Sequence, residues 1–327
     1  MRSIIIIFLF LLAGLYSFSF GQNKLNRTDY VEKINQVVCH LSCDPNDPQA
    51  AKKLLKTYSN ALMDYQGEID RLQVASDSFK WTNTYDLMNE LNELSNEILF
   101  NSAANRIICE PKVYTHELAE VKQKAIQELY DAGIKSLRNG SKAKAKAAYW
   151  YFVKVEQLSP AFKDVVQKIQ QAKRKATLNV VVEKVAAYAY YKNLFSTNFY
   201  QAFFDKLHSE FLYDRFVNIY SYKEAKQRKI ETVDWYVRVS FIDFEIQTTK
   251  YYSDSQFINL NGVSEIKIFS TIEKKDILST RFPGQFVWKS YDQGSKSDLQ
   301  GLLDSFSLSM KYQVYDVVSR FIKQSNY

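Results

Sequence analysis

The feature that most constrains this chain is a change of hydrophobic period near its midpoint. Up to about residue 175 the apolar residues recur at three- and four-residue spacing; beyond it, stretches alternating every second residue stand beside helical ones. A helix and a strand bring different positions to one face, so a segment patterned for one cannot bury its apolar side as the other. The sequence therefore predicts an α+β protein, with an all-α half over residues 22–175 and a mixed-sheet α/β sandwich over residues 176–327.

In the helical half, Tyr30, Ile34, Val37, Val38 and Leu41 form a first stripe. Two prolines and Asx residues break it at Asp44-Pro45-Asn46-Asp47-Pro48, where Asp47 can cap a second helix with Pro48 at its first position. Leu54, Leu55, Tyr58, Leu62, Tyr65, Ile69 and Leu72 continue that helix, and Leu87, Leu91, Leu94 and Ile98 mark a third, before Glu110-Pro111 ends the group. A helical pair follows, Ala125 to Leu137 and Ala143 to Leu158, joined at Asn139-Gly140 where glycine can take positive φ. Ser159-Pro160 stops the second member and starts a helix from Ala161 to Lys175.

This pair resembles the tetratricopeptide helical hairpin. Gly133 stands at the small position where the helices cross, Gly140 at the turn and Ala145 at the small position opening the second helix. Pro160 closes the unit about three residues late and Ser136 replaces the usual aromatic, so the resemblance implies one degenerate repeat and not an array.

In the second half the valine-rich run Leu178 to Val185 reads as a buried strand. Thr197 to Leu212 reads as a helix with Phe199, Phe203, Leu207 and Phe211 at four-residue intervals, Phe216 to Tyr220 as a short strand, and Ser221 to Arg228 as a helical turn. Trp235, Val237, Val239 and Phe241 alternate, and the apolar phase then moves to Ile242, Phe244 and Ile246; a phase switch inside one strand predicts a bulge. Ile266, Ile268 and Ile272 mark the next strand, and Phe286 and Trp288 the last, after a turn at Phe282-Pro283-Gly284. Leu299, Leu303, Phe306, Met310, Val314, Val317 and Phe321 form a closing helix.

The hairpin ending in Pro160-Ala161-Phe162-Lys163-Asp164, followed by a basic helix and Ala176-Thr177-Leu178-Asn179-Val180-Val181-Val182, is similar to Gram-negative envelope proteins that join a tetratricopeptide-like region to a domain related to the curli-secretion lipoprotein. Phe282-Pro283-Gly284-Gln285-Phe286-Val287-Trp288 resembles a recurring segment of such secreted proteins. The resemblance implies an envelope location and a role in assembling or holding other components. The lipidation cysteine of the curli-secretion relative is missing, and no alternating hairpin long enough for a transmembrane barrel is evident, so pore formation is not implied.

Residues 1–21 read as a cleavable export signal. Arg2 precedes the unbroken apolar run Ile4 to Leu12, and Ser19-Phe20-Gly21 offers small residues before Gln22. The run is shorter than the roughly 20 residues a bilayer span needs; a buried helix and an uncleaved anchor are the alternatives. The expected location is the periplasm or the outer membrane, without a span after cleavage. Long regular elements follow from only 9 Gly and 5 Pro, and 46% hydrophobic residues exclude a disordered chain. The densest basic cluster is Lys142, Lys144 and Lys146, then Lys168, Lys173, Arg174 and Lys175. It lacks the interleaved aromatics of a single-strand nucleic-acid groove, so no nucleic-acid partner is expected. Solvated helix faces account for it, with peripheral attraction to an anionic membrane as the other reading.

The chain carries no zinc-protease helix motif, nucleophile elbow, phosphate-binding glycine loop or dinucleotide fingerprint, and no cofactor is expected. Glu231, Asp234, Asp243 and Glu245 gather near one strand and read as solvated edge charges. Cys39, Cys43 and Cys109 all fall in the helical half; in an oxidising compartment Cys43–Cys109 is the expected bridge, Cys39–Cys109 its close alternative. A zinc site from Cys39, His40, Cys43, Cys109 and His116 is the sharper reading of the same residues. Tyr188, Tyr190, Tyr191 and Phe195 form an aromatic segment suited to core packing or to a partner surface. Together these features lead to a non-enzymatic envelope scaffold that binds other envelope proteins, with self-assembly as a further partner reading. A glycan- or peptidoglycan-binding module is the alternative, and an envelope hydrolase with two distant carboxylates a third.

Overall fold

Asp47 starts the longest helix of the N-terminal region as its sequence suggests. Its side chain accepts from the Gln49 N–H at 2.8 Å, Pro48 follows it, and its other oxygen lies 2.7 Å from His40 Nε2. The computed structural model describes residues 29–187, 197–251, 255–290 and 299–326. The chain divides into two compact units, Met1–Ile134 with Tyr151–Val165, and Lys135–Trp150 with Val166–Tyr327.

The first unit is helical. It holds α1 (29–43), α2 (Pro48–Val74), α3 (Lys80–Phe100), α4 (Ser102–Ile107), most of α5 (His116–Arg138) and the end of α6 (Lys142–Leu158). The expected stripes form its core: Ile34, Val37, Val38 and Leu41 from α1, Leu54, Tyr58, Tyr65, Ile69 and Leu72 from α2, and Leu87, Leu91, Leu94 and Ile98 from α3. Leu55, expected inside, is 51% exposed. One hundred degrees of rotation per residue carries it off the face that Leu54 and Tyr58 share.

Polar contacts set the order of these helices. Phe79, at the start of α3, has φ 62° and no capping side chain, so the free N–H groups need another acceptor. Glu128 of α5 supplies it, accepting from Thr82 N at 2.9 Å and Thr82 Oγ1 at 2.7 Å, with its negative charge against the helix N-terminus. The segment before α5 is held by a buried amide. Asn92 Nδ2 donates to Tyr114 O at 2.6 Å, and Tyr114 N donates to Asn92 Oδ1 at 2.7 Å. Beside it, Tyr58 Oη accepts from Lys112 N at 2.7 Å. Gly133 is the close crossing that its position suggested: a Cβ there would stand 2.6 Å from the ring of Phe152, which is fully buried.

The second unit contains a six-stranded sheet in the order β3-β1-β4-β5-β6, with β2 against β4. The strands are β1 (Leu178–Val182), β2 (Ala186–Ala187), β3 (Val217–Ser221), β4 (Trp235–Tyr251), β5 (Ser255–Ser270) and β6 (Lys275–Ser290). α7 (Val165–Ala176) leads into β1, α8 (Thr197–Phe211) and α9 (Tyr222–Gln227) run between the strands, and α10 (Leu299–Asn326) follows them. The fold is thus mixed α+β, helices mostly N-terminal and sheet C-terminal. β1 pairs in parallel with both β3 and β4, and Val180, Val181 and Val182 are all buried, which explains its continuous valine run.

From β4 onward the sheet is antiparallel and one-sided. Val237, Val239, Phe241, Leu260, Ile266 and Ile268 meet Phe199, Phe203, Leu207 and Phe211 of α8 and the buried stripe of α10. Glu210 joins the two helices: Tyr315, Ser319 and Lys323 of α10 all donate to its carboxylate. The predicted bulge lies where expected, as the β4–β5 register slips between Ile242 and Glu245 and Asp243 takes φ 53°.

Four expectations are corrected. The segment Phe282-Pro283-Gly284 is not a turn but the middle of β6, where Pro283 faces Val263 of β5. β6 ends the strand order, and a proline without an N–H is tolerated on such an edge. Ile272 is 71% exposed in the β5–β6 turn. In α10 the fully buried positions after Val314 are Val318 and Ile322, with Val317 and Phe321 only partly covered; over seven turns the 3.6-residue period drifts off a strict heptad. The helix expected from Ala161 starts at Val165, because Ala161 and Lys163 take positive φ in the preceding turn.

Candidate functional site

The bulge in β4 produces the most distinctive surface of the sheet. Two residues, Asp243 and Phe244, are inserted opposite Gly262, and Gly262 itself faces Gly284 across β5 and β6. A Cβ on Gly284 would run into the Met310 side chain, so the glycine pair lets α10 approach the packed face of the sheet. On the opposite, open face at the same level lies a depression of about 700 Å³ lined by Asp243, Glu245, Asn261, Val263, Pro283 and Gln285. Its rim offers two carboxylates and two amides over the apolar surface of Val263 and Pro283. Glu245 also accepts from Gln247 Nε2 at 2.9 Å. Such a set can hydrogen-bond a hydroxyl-rich or amide-rich ligand. It is a shallow contact surface and does not enclose a reacting group.

Beside the depression the same face carries an ordered charge ladder. Glu265 lies 3.1 Å from Lys267 Nζ and 3.0 Å from Arg281 Nη2, and the hydrogen bonds from Lys267 and then Arg281 hold its carboxyl below the usual range. Arg281, Pro283, Gln285 and Val287 are exposed along β6. Among the described residues, an open face opposite a packed one follows the alternation of antiparallel strands.

The residues singled out from the sequence fare differently. Asp243 and Glu245 meet at the depression, whereas Asp234 is not a solvated edge charge. It is 8% exposed, accepts from Asn179 N at 2.8 Å and pairs with Lys142 Nζ at 3.1 Å, so it fixes the start of β1. Tyr188, Tyr190, Tyr191 and Phe195 lie outside the described residues. Cys39, Cys43 and Cys109 are exposed free thiols, and the Cys43–Cys109 pairing is not made in this structure. The ends that it would tie are joined by Asn101, whose Nδ2 donates to Ser42 Oγ at 2.7 Å and to Val38 O at 3.2 Å. Among the described residues no three His, Cys, Asp or Glu side chains gather as a metal site. His208 stacks on Phe204 at 5.5 Å. Sequence reasoning missed Asn261 and Gln285, since single amides in a strand carry no signal until the bulge brings them level with Glu245.

No family model matches the chain, and no curated protein matches it. Several solved structures match part of the chain at low similarity. A protein assigned as a neuraminyllactose-binding hemagglutinin homolog from Helicobacter pylori is 12% identical over 46% of this chain and 88% of its own, with a TM-score of 0.31. The PelC dodecamer from Paraburkholderia phytofirmans is 9% identical over 44% of this chain and 87% of its own, TM-score 0.22. A lipoprotein from Neisseria meningitidis is 12% identical over 42% of this chain and 99% of its own, TM-score 0.21. Among the described residues no helix is long and apolar enough to cross a membrane.

Proposed function

We propose that this protein is an exported, non-enzymatic component of the cell envelope that binds other envelope proteins and holds them in an assembly. One observation carries the reading: three strands of 17, 16 and 16 residues present an open polar face with a shallow depression at its centre. A broad, solvated surface suits partner contact, and its charge ladder gives a partner fixed points of register. Export is supported by the apolar run Ile4 to Leu12 behind Arg2, with residues 1–21 removed as a signal. The C-terminal half is read as a relative of the curli-secretion lipoprotein domain, and the α5–α6 hairpin as one tetratricopeptide-like repeat. Tyr188, Tyr190, Tyr191 and Phe195 are read as further partner contacts, and in an oxidising compartment Cys43 pairs with Cys109.

Cross-linking in intact cells, envelope fractionation and mass spectrometry of what is joined to this chain test the proposal. Recovery of a small, reproducible set of envelope proteins is expected. A chain that stays monomeric and without partners would refute it.

A second reading rests on the depression itself. Carboxylates and amides over Val263 and Pro283 also fit a glycan such as a peptidoglycan strand. Retention on purified cell wall, lost in Asn261→Ala/Gln285→Ala, would favour it; no retention would remove it.

A further inference from the structure

The chain's net charge of +7 is not spread evenly. Residues 135–150 hold five Lys and Arg and residues 166–182 hold four, with no Asp or Glu in either segment. These nine cations exceed the net charge, so the rest of the chain is net acidic. Both segments belong to the second unit, and the fold brings them together. Lys142 Nζ donates to the Thr177 carbonyl at the end of α7, and Leu178 N donates to Phe216 O at 2.8 Å. The first half of α6, the last turn of α7 and the turn before β3 therefore meet where β1 begins.

Aromatic side chains are embedded in this basic region. Arg215 lies over Tyr149 at 5.6 Å and over Trp150 at 5.2 Å, and donates to Tyr149 Oη. Phe216 packs edge-on to Tyr149 at 5.2 Å, and Lys146 sits 5.1 Å above the Phe216 ring. Trp150 is 48% exposed, and in the adjoining turn Leu212 is 54% and Tyr213 93% exposed. Lys173, Arg174 and Lys175 are exposed, and among the described residues none of the three is in an ion pair. A tyrosine almost wholly in solvent on a turn, with a leucine beside it and a half-exposed tryptophan nearby, is a costly arrangement for a surface that only meets water.

We infer that this end of the second unit is a docking surface for a membrane carrying anionic headgroups. Lysine and arginine gain from the negative potential of such a leaflet, and tryptophan and tyrosine settle at the headgroup level with the ring buried and the polar edge wet. The protruding turn suits a soft headgroup layer better than a preformed protein groove. The inference stands apart from the protein-partner reading, because the sheet face and this surface use different residues.

The test is co-sedimentation of the purified full chain with phosphatidylcholine vesicles, with and without phosphatidylglycerol. The apolar N-terminal run would add equal affinity for both vesicles, so the readout is the ratio of the two affinities. That ratio is expected to exceed tenfold at low salt and to collapse as salt rises. Each removed cation costs about fivefold, so Lys173→Ala/Arg174→Ala/Lys175→Ala is expected to weaken anionic binding on the order of 100-fold. Tyr213→Ala should weaken it severalfold at an unchanged thermal midpoint. Equal affinity for neutral and anionic vesicles, a triple variant that binds as the parent does, or retention on a soluble polyanion without vesicle binding would overturn the inference.

Discussion

Asn92→Ala is the sharpest probe of how the helical unit is held together. The Asn92 amide is 8% exposed and makes two short bonds to one peptide position, donating to Tyr114 O at 2.6 Å and accepting from Tyr114 N at 2.7 Å. It acts as a strand would, satisfying both backbone groups of a residue that lies in no helix or strand. Alanine removes both partners at once, and each buried backbone group left unpaired costs about 1–3 kcal/mol. Water entering the vacated space recovers part of this, so a net loss of about 3 kcal/mol is expected. For a unit of this size that lowers the thermal midpoint by about 6–12 °C. Asn89, one turn earlier, bonds only to exposed Glu93 at 2.8 Å, so Asn89→Ala should change stability by less than about 0.5 kcal/mol. Thermal unfolding followed by circular dichroism measures both. A loss in Asn92→Ala no larger than in Asn89→Ala would refute the clamp.

Three further outcomes follow from particular contacts. Ser264 is fully buried and its hydroxyl finds no partner among the described residues, so Ser264→Ala should raise stability by about 1 kcal/mol in urea unfolding. Gly133→Ala gains about 1 kcal/mol of helix propensity but drives its Cβ into the buried Phe152 ring, and a net loss of about 1 kcal/mol is expected by the same measurement. For Glu210, burial pushes the carboxyl upward, but the hydrogen bonds from Lys323, Tyr315 and Ser319 outweigh it, and the folded pKa lies below the usual 4.5. A depressed carboxyl stabilises the fold above its unfolded pKa and loses that contribution as pH falls through the folded value. Glu210→Gln should therefore cost stability at neutral pH, and the gap to the parent should close in acid below about 4.5; a gap that is constant with pH would contradict this.

Much of the fold was legible because burial repeats. The stripes of α1, α3 and α8 and the valine run of β1 each repeat one side of a regular element, and every residue named for α3 and every phenylalanine named for α8 is buried. The bulge was legible too, since a change of phase from Phe241 to Ile242 has only one cheap structural cause. Long-range polar contacts were not. Glu128 capping α3, Asn92 clamping Tyr114 and Asp234 pairing Lys142 span 46, 22 and 92 residues of chain, and nothing local marks them. β6 was misread for the same reason: proline and glycine signal a turn locally, and only the strand order reveals that they sit on an edge. The depression depends on Glu245, Asn261 and Gln285 standing level across β4–β6, a register that alternation alone does not specify.

The central claim is that the open face of β4–β6 holds an envelope partner. A photo-crosslinking residue placed at Gln285, on the rim of the depression, and a control placed at Asn89 on α3 test it in intact cells. The account predicts adducts with a small set of envelope proteins from position 285 and none of these from position 89. No adduct at 285, or the same adducts from both positions, would contradict it.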